Sequence, residues 1–109
     1  MSILDKAKQH YAEIETKHHD VPEWELTVYW RPWNVNERSI VKAAVDASGK
    51  DQEYSVRVLL TKALDKDLKP LFTKDNLAEL RYKVQFEIVE RIAAAIIGIV
   101  EPDADVIKN

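Results

Sequence analysis

The stretch 21–33 contains all three tryptophans of the protein. Within it, large apolar side chains recur at every second position: Trp24, Leu26, Val28 and Trp30. Because successive side chains of a strand point to opposite faces, this spacing predicts a β-strand near 24–31 with one buried face. Pro22 and Pro32 bound the strand, since proline cannot donate a hydrogen bond to a neighbouring strand.

A second alternation predicts a strand near 54–61. Its two sets of side chains are Tyr54, Val56, Val58 and Leu60 on one side, and Ser55, Arg57, Leu59 and Thr61 on the other. With a helix between them, the two strands are compatible with a parallel crossover unit and with an antiparallel pair. The sequence leaves both arrangements open.

Helical spacing and capping residues predict two helices. The first, near 2–17, begins at Ser2, whose hydroxyl can accept a hydrogen bond from an early backbone N–H. Its apolar stripe consists of Ile3, Leu4, Ala7, Tyr11 and Ile14. The second, near 35–47, follows Asn34, and Glu37 completes the arrangement of a capping box.

A third helix is predicted near 74–97, with Thr73 as its N-cap and Gly98 at its end. Its apolar stripe is wider than one helix face. The width indicates either a helix packed on two sides or a break near Tyr82 and Lys83 that reorients it.

Two polar runs raise the question of a metal site. His18, His19 and Asp20 are neighbours, and adjacent side chains on an extended chain cannot share one ion, so this run is predicted to be a polar linker. The acidic run 65–69 lacks the glycine and the final glutamate of a calcium loop, so we interpret it as a turn held by aspartate side chains. No metal ligand is predicted.

These elements together predict an α+β fold, a mainly helical single domain over 1–109 with a small β-sheet. Within it, 1–20 is expected to be an N-terminal helix and linker, and 21–97 the core. The last segment, 98–109, is expected to be a flexible tail.

Composition excludes several classes of protein. The net charge of −3 argues against nucleic acid as a partner, since phosphate binding needs a basic face. The absence of cysteine excludes disulfides and thiolate metal sites, and two glycines are too few for a phosphate-binding loop. The longest apolar run, 92–100, is shorter than the ~20 residues of a membrane span, and the start of the sequence, 1–6, lacks the apolar run of a signal peptide. We expect a cytoplasmic protein that binds neither a membrane nor a cofactor.

No combination of nucleophile, base and orienting group is recognisable, so no catalytic residue is predicted and the protein is not expected to be an enzyme. Trp24 and Trp30 share the predicted core face. Tyr29, on the other face, Arg31, and Trp33, beyond Pro32, are instead candidates for a partner-binding surface, because aromatic side chains and arginine are enriched at interfaces.

Several segments, in this order and spacing, resemble the tail assembly chaperones of long-tailed bacteriophages and prophages. They are VPEW at 21–24, VYWRP at 28–32, NER at 36–38, TKALD at 61–65, PLFTKDN at 70–76 and IVERIAAAI at 88–96. The sequence departs from the family in two stretches. Glu25 and Leu26 stand where many members have glycine, and Leu68 or Lys69 replaces the glycine of the aspartate-rich turn.

The resemblance implies a non-catalytic protein that binds the tape-measure protein, a long and largely helical chain, and keeps it soluble during tail tube assembly. The tail-tube protein is a further candidate partner. A homo-oligomer and a monomer acting in multiple copies both remain open. The alternative from another class is a structural phage component, such as a head–tail connector or a tail accessory protein, and a DNA-binding regulator is disfavoured by the acidic charge.

Overall fold

The computed structural model describes residues 2–49 and 53–98, which form α-helices and a small antiparallel sheet. The elements are, in chain order, α1 (Ile3–Glu13), β1 (Lys17–Val21), β2 (Leu26–Trp30), α2 (Val35–Ser48), α3 (Glu53–Lys62), α4 (Leu77–Tyr82) and α5 (Phe86–Ile97). Short 3-10 helices occupy Pro22–Trp24 and Lys74–Asn76. The predicted α+β class, mainly helical with a small sheet, is confirmed. The predicted tail 98–109 lies outside the described residues except for Gly98.

The tryptophan-rich stretch contains the predicted strand, with a later start. β2 begins at Leu26, because Trp24 lies in the 3-10 helix and Glu25 takes a left-handed backbone conformation with φ of 55°. Val28 and Trp30 are buried, as the alternation predicted. β1 pairs with β2 in antiparallel register, with Lys17 opposite Trp30 at one end of the ladder.

Two predictions for the N-terminal region are wrong. The first helix ends at Glu13 rather than near 17, and the run 18–20, predicted as a linker, lies within β1. The run lacks the apolar alternation by which a strand is recognised, and it is a strand because its backbone groups pair with those of β2. Asp20 also accepts a cross-strand hydrogen bond from Thr27, 2.8 Å between the oxygens.

The predicted second strand, 54–61, is also wrong, since these residues belong to the helix α3. The helix packs between α2 and α5 and buries much of its circumference: its buried residues are Glu53, Ser55, Val56, Val58, Leu59 and Lys62. A helix that is apolar on two sides has no clean helical stripe, and its β-branched residues then mimic a strand. Since this segment is helical, both strand arrangements left open by the sequence are replaced by the β1–β2 pair.

The helix predicted near 35–47 is confirmed as α2, and so is its cap. Asn34 Oδ1 accepts a hydrogen bond from the Glu37 N–H at 2.8 Å, and Glu37 Oε1 accepts one from the Asn34 N–H at 3.2 Å. Gly49, with φ of 68°, supplies the left-handed residue after the helix. The cap therefore fixes where the chain turns from β2 into α2.

The helix predicted near 74–97 is broken near Tyr82 and Lys83, which was one of the two explanations of its wide apolar stripe. α4 ends at Tyr82 and α5 starts at Phe86, while Gly98 ends α5 with φ of 92°. The turn predicted within 65–69 is confirmed, because Asp65 Oδ1 accepts hydrogen bonds from the N–H groups of Asp67 and Lys69 at 2.8 and 3.0 Å. Leu64, just before it, forms two backbone hydrogen bonds with Tyr29 of β2.

The hydrophobic core lies between the sheet and helices α2 to α5. Its largest fully buried side chains are Leu59, Ile92, Val21, Val28, Val41 and Val58. Helix α1 stands apart, because none of its residues is buried, and Ile3 and Leu4 are 87% and 66% exposed. Within the described ranges, no helix is long and apolar enough to cross a membrane.

Candidate binding groove at Trp33

An open groove lies where the C-terminal ends of α1 and α5 approach the end of β2. We call it the Trp33 groove, and its volume is about 530 Å³. Its lining residues are Ile14, Lys17, His18, Trp30, Pro32, Trp33, Ala95, Ile96, Ile97 and Gly98. Apolar side chains dominate this set, and volumes of about 300–1,000 Å³ are usual for ligand-binding pockets. The groove is thus suited to an apolar occupant.

Trp33 joins the segment after β2 to the last turn of α5. Its indole N–H donates a hydrogen bond to the carbonyl oxygen of Ile96 at 3.0 Å. That carbonyl belongs to the last turn of the helix, where backbone acceptors lack a helical partner. The indole therefore satisfies a helix end while part of its ring remains available to the groove, since the residue is only half-buried.

Two cations flank the Trp33 ring. The Arg38 guanidinium carbon lies 4.7 Å from the ring centroid and the Lys62 ammonium nitrogen lies 5.2 Å from it. Cations at such distances are attracted to the negative face of the ring. The ring orientation is therefore set by contacts from α2 and α3 as well as by its hydrogen bond to α5.

Lys62 is only 3% exposed, and its ammonium group has hydrogen-bond acceptors inside the protein. Its ammonium group lies 2.7 Å from Glu37 Oε1 and 3.1 Å from the carbonyl oxygen of Pro32. Burying a lysine without partners is costly, so these two acceptors are what make the position tenable. Glu37 thus serves both the α2 cap and this ion pair. The sequence carries no local signal for the role of Lys62, because its partners are distant along the chain.

Arg31 holds the C-terminal end of α1. Its guanidinium donates to the carbonyl oxygens of Tyr11 at 3.0 Å and Ala12 at 3.4 Å, and also to that of Ile14. Positive charge is favourable at a helix C-terminus, where these carbonyls are otherwise unpaired. The Tyr11 hydroxyl in turn donates to the Pro32 carbonyl oxygen at 3.0 Å. Arg31 consequently sets the direction in which the exposed α1 projects.

The structure separates Tyr29 from the other two predicted partner-binding residues. Tyr29 lies on the opposite face of β2, next to a second cavity of about 370 Å³ that Asp65 and Leu71 also line. Its ring centroid is 5.9 Å from that of His18. Trp33 and Arg31 lie together near the end of α1, with Trp33 in the groove. Partner binding by these three residues stays a prediction.

Outside the groove, ion pairs join α5 to the 3-10 helix Pro22–Trp24 and α3 to α4. Arg91 of α5 binds both carboxylate oxygens of Glu23, at 2.7 and 2.9 Å, and these hydrogen bonds lower the pKa of Glu23 to about 2. Burial and then the charge of Arg91 lower the pKa of the neighbouring His19. Hydrogen bonds from Arg81 likewise lower the pKa of Glu53. These carboxylates are therefore held ionised as structural partners.

The described residues contain no group of three or more His, Cys, Asp or Glu side chains placed to hold a metal ion. One hydroxyl–carboxylate pair occurs between α3 and α5, where the buried Ser55 donates to Glu90. Because this pair joins two packed helices, we interpret it as an interhelical contact rather than as an activated nucleophile.

No protein-family model matches the sequence, and no curated protein matches it either. A solved structure does match. It is described as the "Structure of bacteriophage HK97 tail assembly chaperone", with a TM-score of 0.61 and 19% sequence identity. The match covers 93% of this chain and 99% of that chain. The chain is similar in fold to this phage tail assembly chaperone. At this identity the likeness concerns the fold, and it agrees with the sequence resemblance to phage tail assembly chaperones.

Proposed function

We propose that this protein is a phage tail assembly chaperone that binds the tape-measure protein and keeps it soluble during tail tube assembly, without catalysing a reaction. The observation that carries the proposal is the similarity in fold to the bacteriophage HK97 tail assembly chaperone over nearly the full length of both chains. The expected place of action is the host cytoplasm, where the tail proteins are made.

The surface of the protein suits a client with an apolar helical face. Helix α1 exposes Ile3 and Leu4, and the Trp33 groove opens at the base of the same helix. An amphipathic helix is recognised by laying its apolar face against such a surface. An exposed apolar patch on a soluble domain commonly marks an interaction site. We therefore place the client contact on α1 and the Trp33 groove, with Arg31 where the two meet. Tyr29, on the opposite face of β2, is retained as a separate proposed contact.

Co-expression with the tape-measure protein tests the proposal. The soluble fraction of that client should rise several-fold when the chaperone is present. The variant I3D/L4D should lose this effect, because it places two charges on the apolar face of α1. The matched control K6D changes the net charge by the same amount in the same helical turn, on an exposed polar residue, and should retain activity.

The outcomes separate the function from its site. If the wild-type protein leaves the client insoluble, the chaperone function is lost. If I3D/L4D acts like the wild type, the function stands and the contact on α1 is wrong. Since no residue of α1 is buried, both variants should keep the thermal stability of the wild type.

A structural phage component remains the competing function, and it makes the opposite prediction for the virion. Mass spectrometry of purified particles should find the tail-tube protein and not this chain if it is a chaperone. A stoichiometric amount of this chain in the particles would favour a connector or a tail accessory protein.

A further inference from the structure

The Trp33 groove begins where the described chain ends. Gly98 lines the groove, and its left-handed conformation, with φ of 92°, turns the backbone out of α5. Residues 99–109 follow Gly98 directly in the sequence, so they are covalently joined to a residue of the groove lining. This covalent connection keeps the side chains of 99–109 near the groove.

The 99–109 segment contains apolar side chains and carries a net negative charge. Its sequence, IVEPDADVIKN, contains two apolar pairs, Ile99 with Val100 and Val106 with Ile107. Between the pairs stand three acids, and Lys108 follows, so the side-chain charge of the segment is −3 + 1 = −2. The described lining of the groove contains apolar side chains together with Lys17 and His18, and it contains no carboxylate. Segment and groove are thus complementary in both apolar surface and charge.

The covalent link favours docking even when the intrinsic affinity is low. Val106 is eight positions beyond Gly98, a path of up to about 26 Å when extended, at ~3.3 Å per residue. Pro102 fixes one φ angle within this path and cannot continue a helix. For a short covalent connection the effective concentration is on the order of millimolar, so a contact with a dissociation constant below that value is largely formed within one molecule.

We propose that the 99–109 segment folds back into the Trp33 groove of its own chain, placing Val106 and Ile107 against Trp33 and Ile97 and its acidic residues near Lys17. The groove then has a built-in occupant, which any partner must displace. This interaction does not depend on the proposed chaperone function, because both its surfaces belong to this chain.

A nitroxide spin label tests the proposal on the full chain. The protein has no cysteine, so the variant N109C carries a single label next to the apolar pair. In two-dimensional NMR spectra, the label should broaden the amide signals of Lys17 and Ile97 and the indole signal of Trp33. Adding V106D/I107D should abolish the broadening. The control K108D changes the charge by the same amount and keeps the apolar pair, so it should leave the broadening in place.

Three results would overturn the proposal. The first is broadening in N109C that is no stronger at the groove than in the V106D/I107D background. The second is loss of the broadening in K108D as well, since charge rather than the apolar pair would then govern the effect. The third is equal broadening of an isotope-labelled chain by a separate spin-labelled chain, because the segment would then occupy the groove of a second copy. Broadening confined to the groove, within one chain and dependent on Val106 and Ile107, supports the proposal.

Discussion

Two residues with full side chains, Glu25 and Leu68, hold left-handed backbone conformations with φ of 55° and 63°. Both stand at or beside positions where the phage tail assembly chaperones that the sequence resembles usually have glycine. For residues with a Cβ atom this conformation costs about 1–2 kcal/mol, so each turn is formed against a local preference. The turns persist because their neighbours are fixed: Glu25 links the 3-10 helix to β2, and Leu68 lies in the turn that Asp65 organises. Both turns therefore form without glycine, at the cost of local backbone strain.

Leu68→Gly should raise the free energy of unfolding by about 0.5 kcal/mol, because relief of the left-handed strain exceeds the extra chain entropy of glycine. Lys66→Gly is the control in the same turn, since Lys66 has no positive φ. It should lower stability by roughly 0.5–1 kcal/mol. Urea unfolding of both variants measures the difference. A destabilised Leu68→Gly would show that side-chain contacts of Leu68 outweigh its strain.

The Glu23–Arg91 pair makes stability depend on acid at the residue scale. The pKa of Glu23 falls from 4.5 to about 2 in the folded protein, so its contribution is present above pH 4.5 and is lost as the pH falls towards 2. The pKa of His19 is also lowered in the folded protein, so below pH 6.5 the unfolded chain binds a proton at His19 more readily than the folded protein does. The stability therefore falls on acidification through His19 as well, starting at a higher pH than through Glu23.

Glu23→Gln should therefore be less stable than the wild type near neutral pH and should approach it near pH 2. The reason is that a neutral amide cannot lose a charge-assisted pairing on acidification. Thermal unfolding from pH 7 to pH 2 measures this convergence. A stability difference that stays constant over that range would mean that the Arg91 contact does not control the ionisation of Glu23.

At the scale of elements, α3 shows that a helix buried on two sides is hard to recognise from its sequence pattern. It packs between α2 and α5, and both Val58 and Leu59 are fully buried. A strand would place these adjacent residues on opposite faces, whereas a helix packed on two sides buries both. The low helix propensity of valine is overridden here, since tertiary packing contributes more than propensity does.

Alanine substitutions at Leu59 and Leu60 test this helix directly. Leu59 is 0% exposed and Leu60 is half-buried. Leu59→Ala should cost about 3–4 kcal/mol through the cavity it leaves, and Leu60→Ala about 1–2 kcal/mol. Chemical denaturation of each variant gives the two values. The reverse order would contradict the helical packing of α3, in which Leu59 is buried and Leu60 only half-buried.

At the scale of the whole molecule, the proposed interaction surfaces lie together at one end of the protein. Arg31 directs α1 outward, and Trp33 ties the same end to α5. The groove between them is next to the proposed client surface on α1 and to the start of the 99–109 segment. Under both proposals, client and segment compete for one site.

V106D/I107D should therefore bind a tape-measure helix several-fold more tightly than the wild type, because the competing segment is removed from the groove. K108D should bind as the wild type does. Titration of a labelled client peptide with each protein measures the affinities. Since this prediction rests on both the proposed function and the docked segment, equal affinities alongside a positive spin-label result would place the client outside the groove.

The sequence by itself determined the features that depend on near neighbours. The strand around Val28, the capping box of α2, the Asp65 turn and the glycine after α5 all follow from residues within a few positions of one another. The resemblance to phage tail assembly chaperones also arose from local segments, and the fold of the HK97 protein agrees with it.

Only the tertiary structure decided the features that join distant residues. β1 is a strand because β2 lies beside it, and α3 is a helix because α2 and α5 cover it on two sides. The environment of Trp33 depends on Lys62 and Ile96, whose positions along the chain give no local signal. Long-range packing supplies most of the free energy that selects between helix and strand in an ambiguous segment, so the pattern of that segment alone cannot make the choice.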